Sequence, residues 1–267
     1  MKKFIRVLLA LALACEMASV PALGFAATYN SVSHIHGVKV FGKEILMPTH
    51  EGLYRYSAAN SMQIVPGPVF DVMGLATYGK TLYASGHPGP NSQFPNPVGL
   101  IASTDGGANW KKISLQGKVD FHMLEVGKFD IYGADSTSGR LMHSNDNGKN
   151  WKKLGVNTYS DIAILDVKKG AAYALLDGLL VQTRNSFATT VTLKTKMKWS
   201  ALEVVGTTIY GASGKDIYRS IDGAKSWKKI ASLPNEISSI SINKEVVAAV
   251  TGGAIFISRN EGKNFSS

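Results

Sequence analysis

Three observations in the sequence predict an all-β chain folded as a six-bladed β-propeller. An octet of the form Ser-x-Asp-x-Gly/Ala-x-x-Trp recurs along the chain, strand-length apolar runs separate its copies, and no stretch has the apolar period of a helix. Four such runs in each unit of about 40 residues is the pattern of a propeller blade. We expect one propeller domain over residues 27–267, and a seven-bladed ring is the alternative.

The octet sets the length of the repeat. Its clear copies begin at residues 103, 144 and 220, and the last gap is close to two steps of about 38 residues. Degraded copies and a lead-in without an octet complete six units: LLVQTRN at 179–185, SRNEGKNF at 258–265 and GLYRY at 52–56. Because little chain follows Phe265, we expect residues 30–33 to add the closing strand to the last blade.

Each residue type in the octet has a structural use. The Asp can accept backbone hydrogen bonds within a turn, the Gly can take a positive φ, and the Trp can pack across the hairpin between the third and fourth strands. The octets resemble the Asp-box, or bacterial neuraminidase repeat, of sialidases, of the sortilin propeller and of the photosystem II assembly factor propeller. The resemblance implies boxes at the blade periphery with structural roles for Asp105, Gly107, Trp110, Asp146, Gly148, Trp151, Asp222 and Trp227.

The N-terminus has the pattern of an export signal over residues 1–26. Basic residues precede an apolar run, and a small-residue cleavage site ends at Ala26. We therefore expect a secreted, periplasmic or cell-surface protein. The only cysteine is Cys15, and Ala12-Leu13-Ala14-Cys15 resembles a degenerate lipoprotein box, so a lipid anchor at Cys15 is an alternative. No later stretch approaches the ~20 apolar residues of a membrane span.

The formal net charge of +10 does not indicate nucleic-acid binding. Part of this charge belongs to the predicted signal. Much of the rest comes from lysine pairs at one repeated place, directly after each octet tryptophan, as expected for a solvated outer strand. These pairs are Lys111-Lys112, Lys152-Lys153 and Lys228-Lys229.

Histidines concentrate in the first three units. Aligning the units puts His36, Met73 and His122 at one blade position, with His34, Asp71 and Asp120 two residues earlier on the same strand face. The corresponding residues of the later units are Ile162, Ser200 and Ser239. His50 and His87 end the second apolar runs of units one and two, and antiparallel pairing brings the start of a first strand and the end of a second strand to the same rim.

This arrangement predicts a metal site at the rim. Neutral imidazoles with a nearby carboxylate or thioether bind zinc or copper, and Met73 would favour copper(I). The predicted ligands are His36, His50, His87 and His122, with His34, Asp71, Met73 and Asp120 as further candidates. The alternative is that these histidines only satisfy hydrogen bonds at the blade tops.

Two other functions stay open. The likeness to the sortilin and assembly-factor propellers implies a scaffold that grips a protein partner. The stretches HIHG, DVMG, SGHPGP and DFHML also resemble an exported bacterial group called glycosylhydrolase-like, and Asp71, Asp120, Asp135 and Asp161 would supply carboxylates for such an enzyme. A sialidase is not expected, because the arginines recur beside the boxes and not at the histidine rim. We rank metal or ligand binding first, a scaffold second and a hydrolase third.

Overall fold

The computed structural model describes residues 26–28, 32–58, 61–90, 92–252 and 254–266. Within these ranges the chain forms 24 strands and no helix, and the strands make six antiparallel sheets arranged as blades. The predicted fold class, a six-bladed β-propeller, is therefore confirmed. Residues 1–25 of the predicted signal, with Cys15, lie outside the described residues.

Blades 1 to 3 come from the first part of the described chain. The strands of blade 1 are β1 (Ala26–Thr28), β2 (Lys39–Phe41), β3 (Glu44–Thr49), β4 (Gly52–Ala58) and β5 (Ser61–Ile64). Blade 2 contains β6 (Phe70–Tyr78), β7 (Thr81–Pro88), β8 (Leu100–Ser103) and β9 (Lys111–Ser114). Blade 3 contains β10 (Phe121–Val126), β11 (Ile131–Asp135), β12 (Arg140–Ser144) and β13 (Lys152–Val156).

Blades 4 to 6 repeat the same meander. Blade 4 contains β14 (Tyr159–Ile164), β15 (Ala172–Leu176), β16 (Leu179–Thr183) and β17 (Val191–Thr192). Blade 5 contains β18 (Ala201–Val205), β19 (Thr208–Ser213), β20 (Asp216–Ser220) and β21 (Lys228–Ser232). Blade 6 contains β22 (Ile237–Ile242), β23 (Val247–Thr251) and β24 (Ala254–Ser258). The innermost strands, β2, β6, β10, β14, β18 and β22, surround a central cavity.

The hydrophobic core lies between the blades. Six clusters of buried side chains each join two neighbouring blades, as expected for sheets that are apolar on both faces. The cluster that closes the ring packs Met47 and Met62 of blade 1 with Ala248 and Ile255 of blade 6. The same seam has a hydrogen bond from Val40 N to Ser241 Oγ, 3.0 Å long.

The predicted closing strand is wrong. The N-terminal strand β1 pairs with β5 and makes blade 1 five-stranded, whereas blade 6 is completed only by a single bridge between Ile257 and Ser266. Val32 and Ser33 form a bend, and residues 30 and 31 lie outside the described residues. The N-terminal edge strand is therefore Ala26–Thr28 and not residues 30–33, and it belongs to blade 1 and not to blade 6.

The three clear octets form one type of turn after the third strand. In the first, Asn109 N and Ser103 Oγ donate to Asp105 Oδ1 at 2.9 and 2.8 Å, and Gly107 N donates to Ser103 Oγ at 2.9 Å. Hydrogen bonds from Asn109 and Ser103 lower the pKa of Asp105 to about 2. The turns begun by Ser144 and Ser220 repeat these bonds.

The octet tryptophans contact aromatic rings near the start of the first strand of the blade, not only their own hairpin. Trp110 lies 5.6 Å from Phe70 and Trp151 lies 4.9 Å from Phe121, measured between ring centroids. Trp227 lies 4.3 Å from Trp199, which precedes β18. These residues pack in the clusters between blades, so the octets stabilise the ring.

Four blades have a β-bulge in the first strand. The pairing of β6 with β7 skips Met73, and that of β10 with β11 skips His122. Bulges re-aim side chains, and both residues line the central cavity. The equivalent bulge residues of blades 4 and 6 are Ser160 and Ser238. The prediction from the sequence repeat, which placed Ile162 and Ser239 at this position, is therefore wrong by two residues in blade 4 and by one residue in blade 6.

Candidate metal centre at the histidine rim

The predicted site residues lie at the rim where first strands begin and second strands end. Ile35 bridges to Thr49, and His36 N donates to Pro48 O at 2.9 Å, which places His36 beside His50. In the next blade, Asp71 of β6 is the ladder partner of His87 of β7. Antiparallel pairing thus brings together residues that are distant in sequence, as expected from the repeat.

Three imidazoles form the first group, which we call the His36 cluster. It contains His34, His36 and His50, whose ring centroids lie 4.6 to 5.3 Å apart. Each ring offers one nitrogen such that all three nitrogens lie within 4.8 Å of one another. Nitrogens bound to one tetrahedral zinc lie about 3.3 Å apart, so a small side-chain adjustment makes this a three-nitrogen ligand set.

Asp71 lies behind the His36 cluster. His50 Nδ1 donates to Asp71 Oδ2 at 2.9 Å, and His36 Nε2 lies 3.3 Å from Asp71 Oδ1 without hydrogen-bond alignment. A carboxylate that holds one ring nitrogen fixes the orientation of the imidazole and leaves the other nitrogen available. Asp71 therefore orients the His50 ring through Nδ1.

The environment of His36 favours its neutral form. Burial lowers the pKa of His36, and the neighbouring His50 and His34 lower it further, while Asp71 opposes these effects. Neutral imidazole is the form that ligates a metal. The lowered pKa of His36 therefore favours the form of the ring that can ligate a metal.

The second group, which we call the Asp120 cluster, contains Asp120, His87 and His122. His122 Nε2 donates to Asp120 Oδ2 at 2.7 Å, and His87 Nε2 lies 3.1 Å from the same oxygen. The two imidazole rings lie edge to face, 6.3 Å apart. These atoms form a potential ligand set of two nitrogens and one oxygen.

Asp120 is held rigidly in this cluster. The residue is 2% exposed, Ser136 Oγ donates to its Oδ2 at 2.6 Å, and its backbone N donates to Asp135 Oδ1 at 2.9 Å. Its Oδ1 is buried and has no hydrogen-bond partner among the described residues. Buried carboxylate oxygens are normally paired, so this one is suited to a cation.

His87 has oxygen atoms facing both of its ring nitrogens. Its Nδ1 lies 3.3 Å from Asn96 Oδ1 on one side, and its Nε2 faces Asp120 on the other. A neutral imidazole has one N–H only, so one nitrogen lone pair must face an oxygen lone pair. A metal ion bound at Nε2, or an Asn96 amide turned so that its NH2 faces Nδ1, would remove this conflict.

The structure places the eight predicted site residues at one rim but divides them. Four belong to or support the His36 cluster, three form the Asp120 cluster, and Met73 lines the central cavity together with His36 and His122. The sequence pattern predicts one site, whereas these residues fall into two clusters and the wall of the cavity. His143, which was not assigned to the site, is buried on β12, where its Nε2 bonds Asp130 Oδ1 at 2.7 Å.

A group of interacting charged residues that was not predicted from the sequence lies on the inner strands. Lys39 Nζ lies 3.5 Å from Glu125 Oε2, and the two side chains are 22% and 16% exposed. Asp161 and Glu203 are close enough to interact electrostatically with both. Leu202 N donates to Asp161 Oδ2 at 2.7 Å, and Ser241 Oγ donates to Glu203 Oε2 at 3.3 Å.

Burial is the largest cause of the raised carboxyl pKa values in this group of charged residues. It raises the pKa of Glu125 to about 8, helped by Glu203 and Asp161 and opposed by Lys39. It also raises the pKa of Asp161 to about 6 and the pKa of Glu203. Burial opposes protonation of Lys39, but the three carboxylates raise its pKa nonetheless. The sequence feature that could have revealed this group is a charged residue within the apolar run of a first strand. Examples are Glu125 in MLEV at 123–126 and Glu203 in ALEVV at 201–205.

Comparison with known proteins shows a similarity of fold and no relative in sequence. No protein-family model matches the chain, and no curated protein matches it. Among the described residues, no helix is both long and apolar enough to cross a membrane.

Solved structures do resemble this chain. A nidogen/laminin complex matches with 11% identity and a TM-score of 0.57, over 84% of this chain and 92% of that one. A Niastella koreensis GH74 enzyme matches with 16% identity and a TM-score of 0.57, over 86% of this chain and 37% of that one. YCF48 bound to D1 peptide matches with 12% identity and a TM-score of 0.46, over 73% and 67%. The two matches with a TM-score of 0.57 confirm the suspected likeness for the fold alone, and function must be argued from the site.

Proposed function

We propose that this protein is an exported propeller that binds a transition metal ion, zinc or copper, through the histidines of its rim. One observation carries the proposal most directly. Two imidazoles from neighbouring blades converge on one oxygen of Asp120, a buried carboxylate whose other oxygen has no hydrogen-bond partner among the described residues. Histidine nitrogen and carboxylate oxygen are the ligands that zinc takes in open, three-ligand sites.

The chemistry of the rim also allows copper. Imidazole suits copper as well as zinc, and copper(II) binds more tightly than zinc to a given nitrogen site. Met73 on the cavity wall would add a soft thioether for copper(I). The proposal therefore names both metals, and titration distinguishes them.

Export is part of the proposal and rests on the N-terminal segment. Lys2, Lys3 and Arg6 precede an apolar run and a small-residue cleavage site. The product would be secreted, periplasmic or at the cell surface, with lipid attachment at Cys15 as the alternative. Mass spectrometry of the exported protein distinguishes cleavage after Ala26 from a lipidated Cys15.

The test of metal binding is direct. The exported protein, purified without a histidine tag and stripped with a chelator, is titrated calorimetrically with zinc, copper(II) and copper(I). We expect binding by the wild type and a loss of at least tenfold in affinity in a His36→Ala/His122→Ala double variant. A Lys111→Ala/Lys152→Ala double variant, changed only on exposed outer strands, is the control. Equal weak binding by all three proteins would contradict the proposal.

A protein-interaction scaffold is the second candidate. Its support is the likeness of fold to a chain in a nidogen/laminin complex, and Val156 of β13 and Val191 of β17, 71% and 64% exposed, are apolar side chains available on outer strands. The absence of metal binding in the titration would move this candidate to first place.

A glycoside hydrolase ranks third. Asp71 and Asp120 both lie against histidines, and Asp135 accepts backbone hydrogen bonds from Asp120 and Thr137, so these carboxylates are engaged. The cavity volume of about 200 Å³ is small beside the roughly 300–1,000 Å³ of ligand pockets. Arg55 lies beside Glu44 and Arg259 bonds Lys43 O, which does not support an arginine clamp for sialic acid at the rim.

A further inference from the structure

The two histidine clusters are related by the step of one blade. Asp71 lies near the start of β6 and Asp120 directly precedes β10, and each lies against a histidine at the end of a strand in the preceding blade: His50 directly follows β3, and His87 is the second-last residue of β7. The pairs are Asp71 with His50 and Asp120 with His87. The rim thus repeats one carboxylate–imidazole pair at two neighbouring interfaces.

The carboxylates of the two pairs differ in their position relative to the imidazoles of their clusters. At the first interface, Asp71 bonds Nδ1 of His50, so the three ring nitrogens within 4.8 Å form a complete set without it. At the second interface only two imidazoles are present, and the carboxylate oxygen is the third atom of the set. The His36 cluster therefore offers three nitrogens, whereas the Asp120 cluster offers two nitrogens and one oxygen.

We propose that the rim binds two metal ions per chain at two non-equivalent sites, one in the His36 cluster and one in the Asp120 cluster. This inference rests on the proposed function and specifies its stoichiometry and ligands. Asp120 is a ligand in its site, whereas Asp71 is a positioning residue that orients His50. Three protein ligands leave each metal an open position for a water or a small ligand.

The geometry of each cluster supports a separate ion. The Nε2 atoms of His87 and His122 lie 3.1 and 2.7 Å from Asp120 Oδ2, and a metal ion would take the place of the proton that His122 Nε2 donates to this oxygen. Imidazole nitrogens of the His36 cluster already lie within 4.8 Å of one another. No residue belongs to both sets, so the two sets can hold two ions.

The experiment measures zinc stoichiometry in four proteins. The exported, tag-free wild type is stripped with a chelator, titrated with zinc by calorimetry and analysed for zinc content after gel filtration. We expect two zinc ions per chain in the wild type and one in either Asp120→Asn or His34→Ala. Asp71→Asn should keep two ions but bind one of them 10- to 100-fold more weakly, as expected for a residue that orients a ligand.

Controls keep the outcome interpretable. Asp177→Asn, in an exposed turn between β15 and β16, should bind two ions with wild-type affinity. His122→Ala replaces Asp120→Asn if the latter fails to fold, because the His122 side chain is 45% exposed. One ion in the wild type, or loss of all zinc in both Asp120→Asn and His34→Ala, would overturn the two-site inference and leave the proposed function intact. No zinc or copper bound by the wild type would overturn both.

Discussion

The carboxylate of Asp120 in blade 3 faces the imidazole of His87 in blade 2, with 3.1 Å between Oδ2 and Nε2. This pair crosses the interface between two blades at the rim. An ion coordinated there would connect elements far apart in sequence and bind only the folded protein. Metal binding should therefore be measurable as added stability.

Zinc should stabilise the folded protein. At a free zinc concentration 100 times the dissociation constant, one site that exists only in the folded state raises the free energy of unfolding by about 2.7 kcal/mol. Urea denaturation with zinc and with a chelator measures the difference. The His36→Ala/His122→Ala variant should show a much smaller increase, and an equal increase in both proteins would place the zinc elsewhere.

Trp110→Ala should lower stability without removing metal binding. The ring packs between blades 1 and 2 and contacts Phe70, so its truncation leaves a cavity that costs about 3 kcal/mol. Thermal denaturation measures the loss, and zinc titration below the melting temperature should match the wild type. Unchanged melting with lost zinc binding would assign the octet to the site instead of the fold.

Gly148→Ala and Gly155→Ala form a matched pair in blade 3. Gly148 has a φ of +79°, and a Cβ there would overlap Leu100 of blade 2, so we expect a loss of about 1–3 kcal/mol. A Cβ at Gly155 in β13 meets no atom within 4 Å, and Ala there should be neutral or stabilising by up to about 1 kcal/mol. Equal effects in urea denaturation would contradict this role for Gly148.

Stability should fall as pH rises from about 5 to 8 because of Glu125. Burial raises the pKa of Glu125 to about 8 from an ordinary value of 4.5. Between these values the folded protein keeps a proton that the unfolded chain has released, so the free energy of unfolding decreases with pH. Glu125→Gln should flatten this decrease. Urea denaturation at several pH values in chelator measures it, and identical slopes in both proteins would contradict the prediction.

Much of the fold was predictable because the octet turn is local. Hydrogen bonds among Ser103, Asp105, Gly107 and Asn109 lie within one turn, so their residue types recur in the sequence wherever the turn recurs. The edge strand of blade 1 carried no such signal. A three-residue strand such as Ala26–Thr28 is defined by its partner β5 and not by its own sequence.

The site was predictable to the level of the rim and no further. Antiparallel pairing dictates that His36 and His50 meet, and the periodicity of the repeat shows it. The division into two clusters depends on side-chain directions and on bulges such as that at His122, which sequence spacing does not reveal. Lys39 and Glu125 were missed because they approach each other across the channel from blades 1 and 3.

The closure of the ring has a consequence for how the chain folds. Val40 and Ser241 are 201 residues apart in sequence, and the apolar cluster around them joins the first blade to the last. This interface cannot form until the C-terminal blade is available, and contacts of such long sequence separation slow folding. A newly made chain therefore remains incompletely folded until blade 6 has been synthesised, even after the first five blades have left the ribosome.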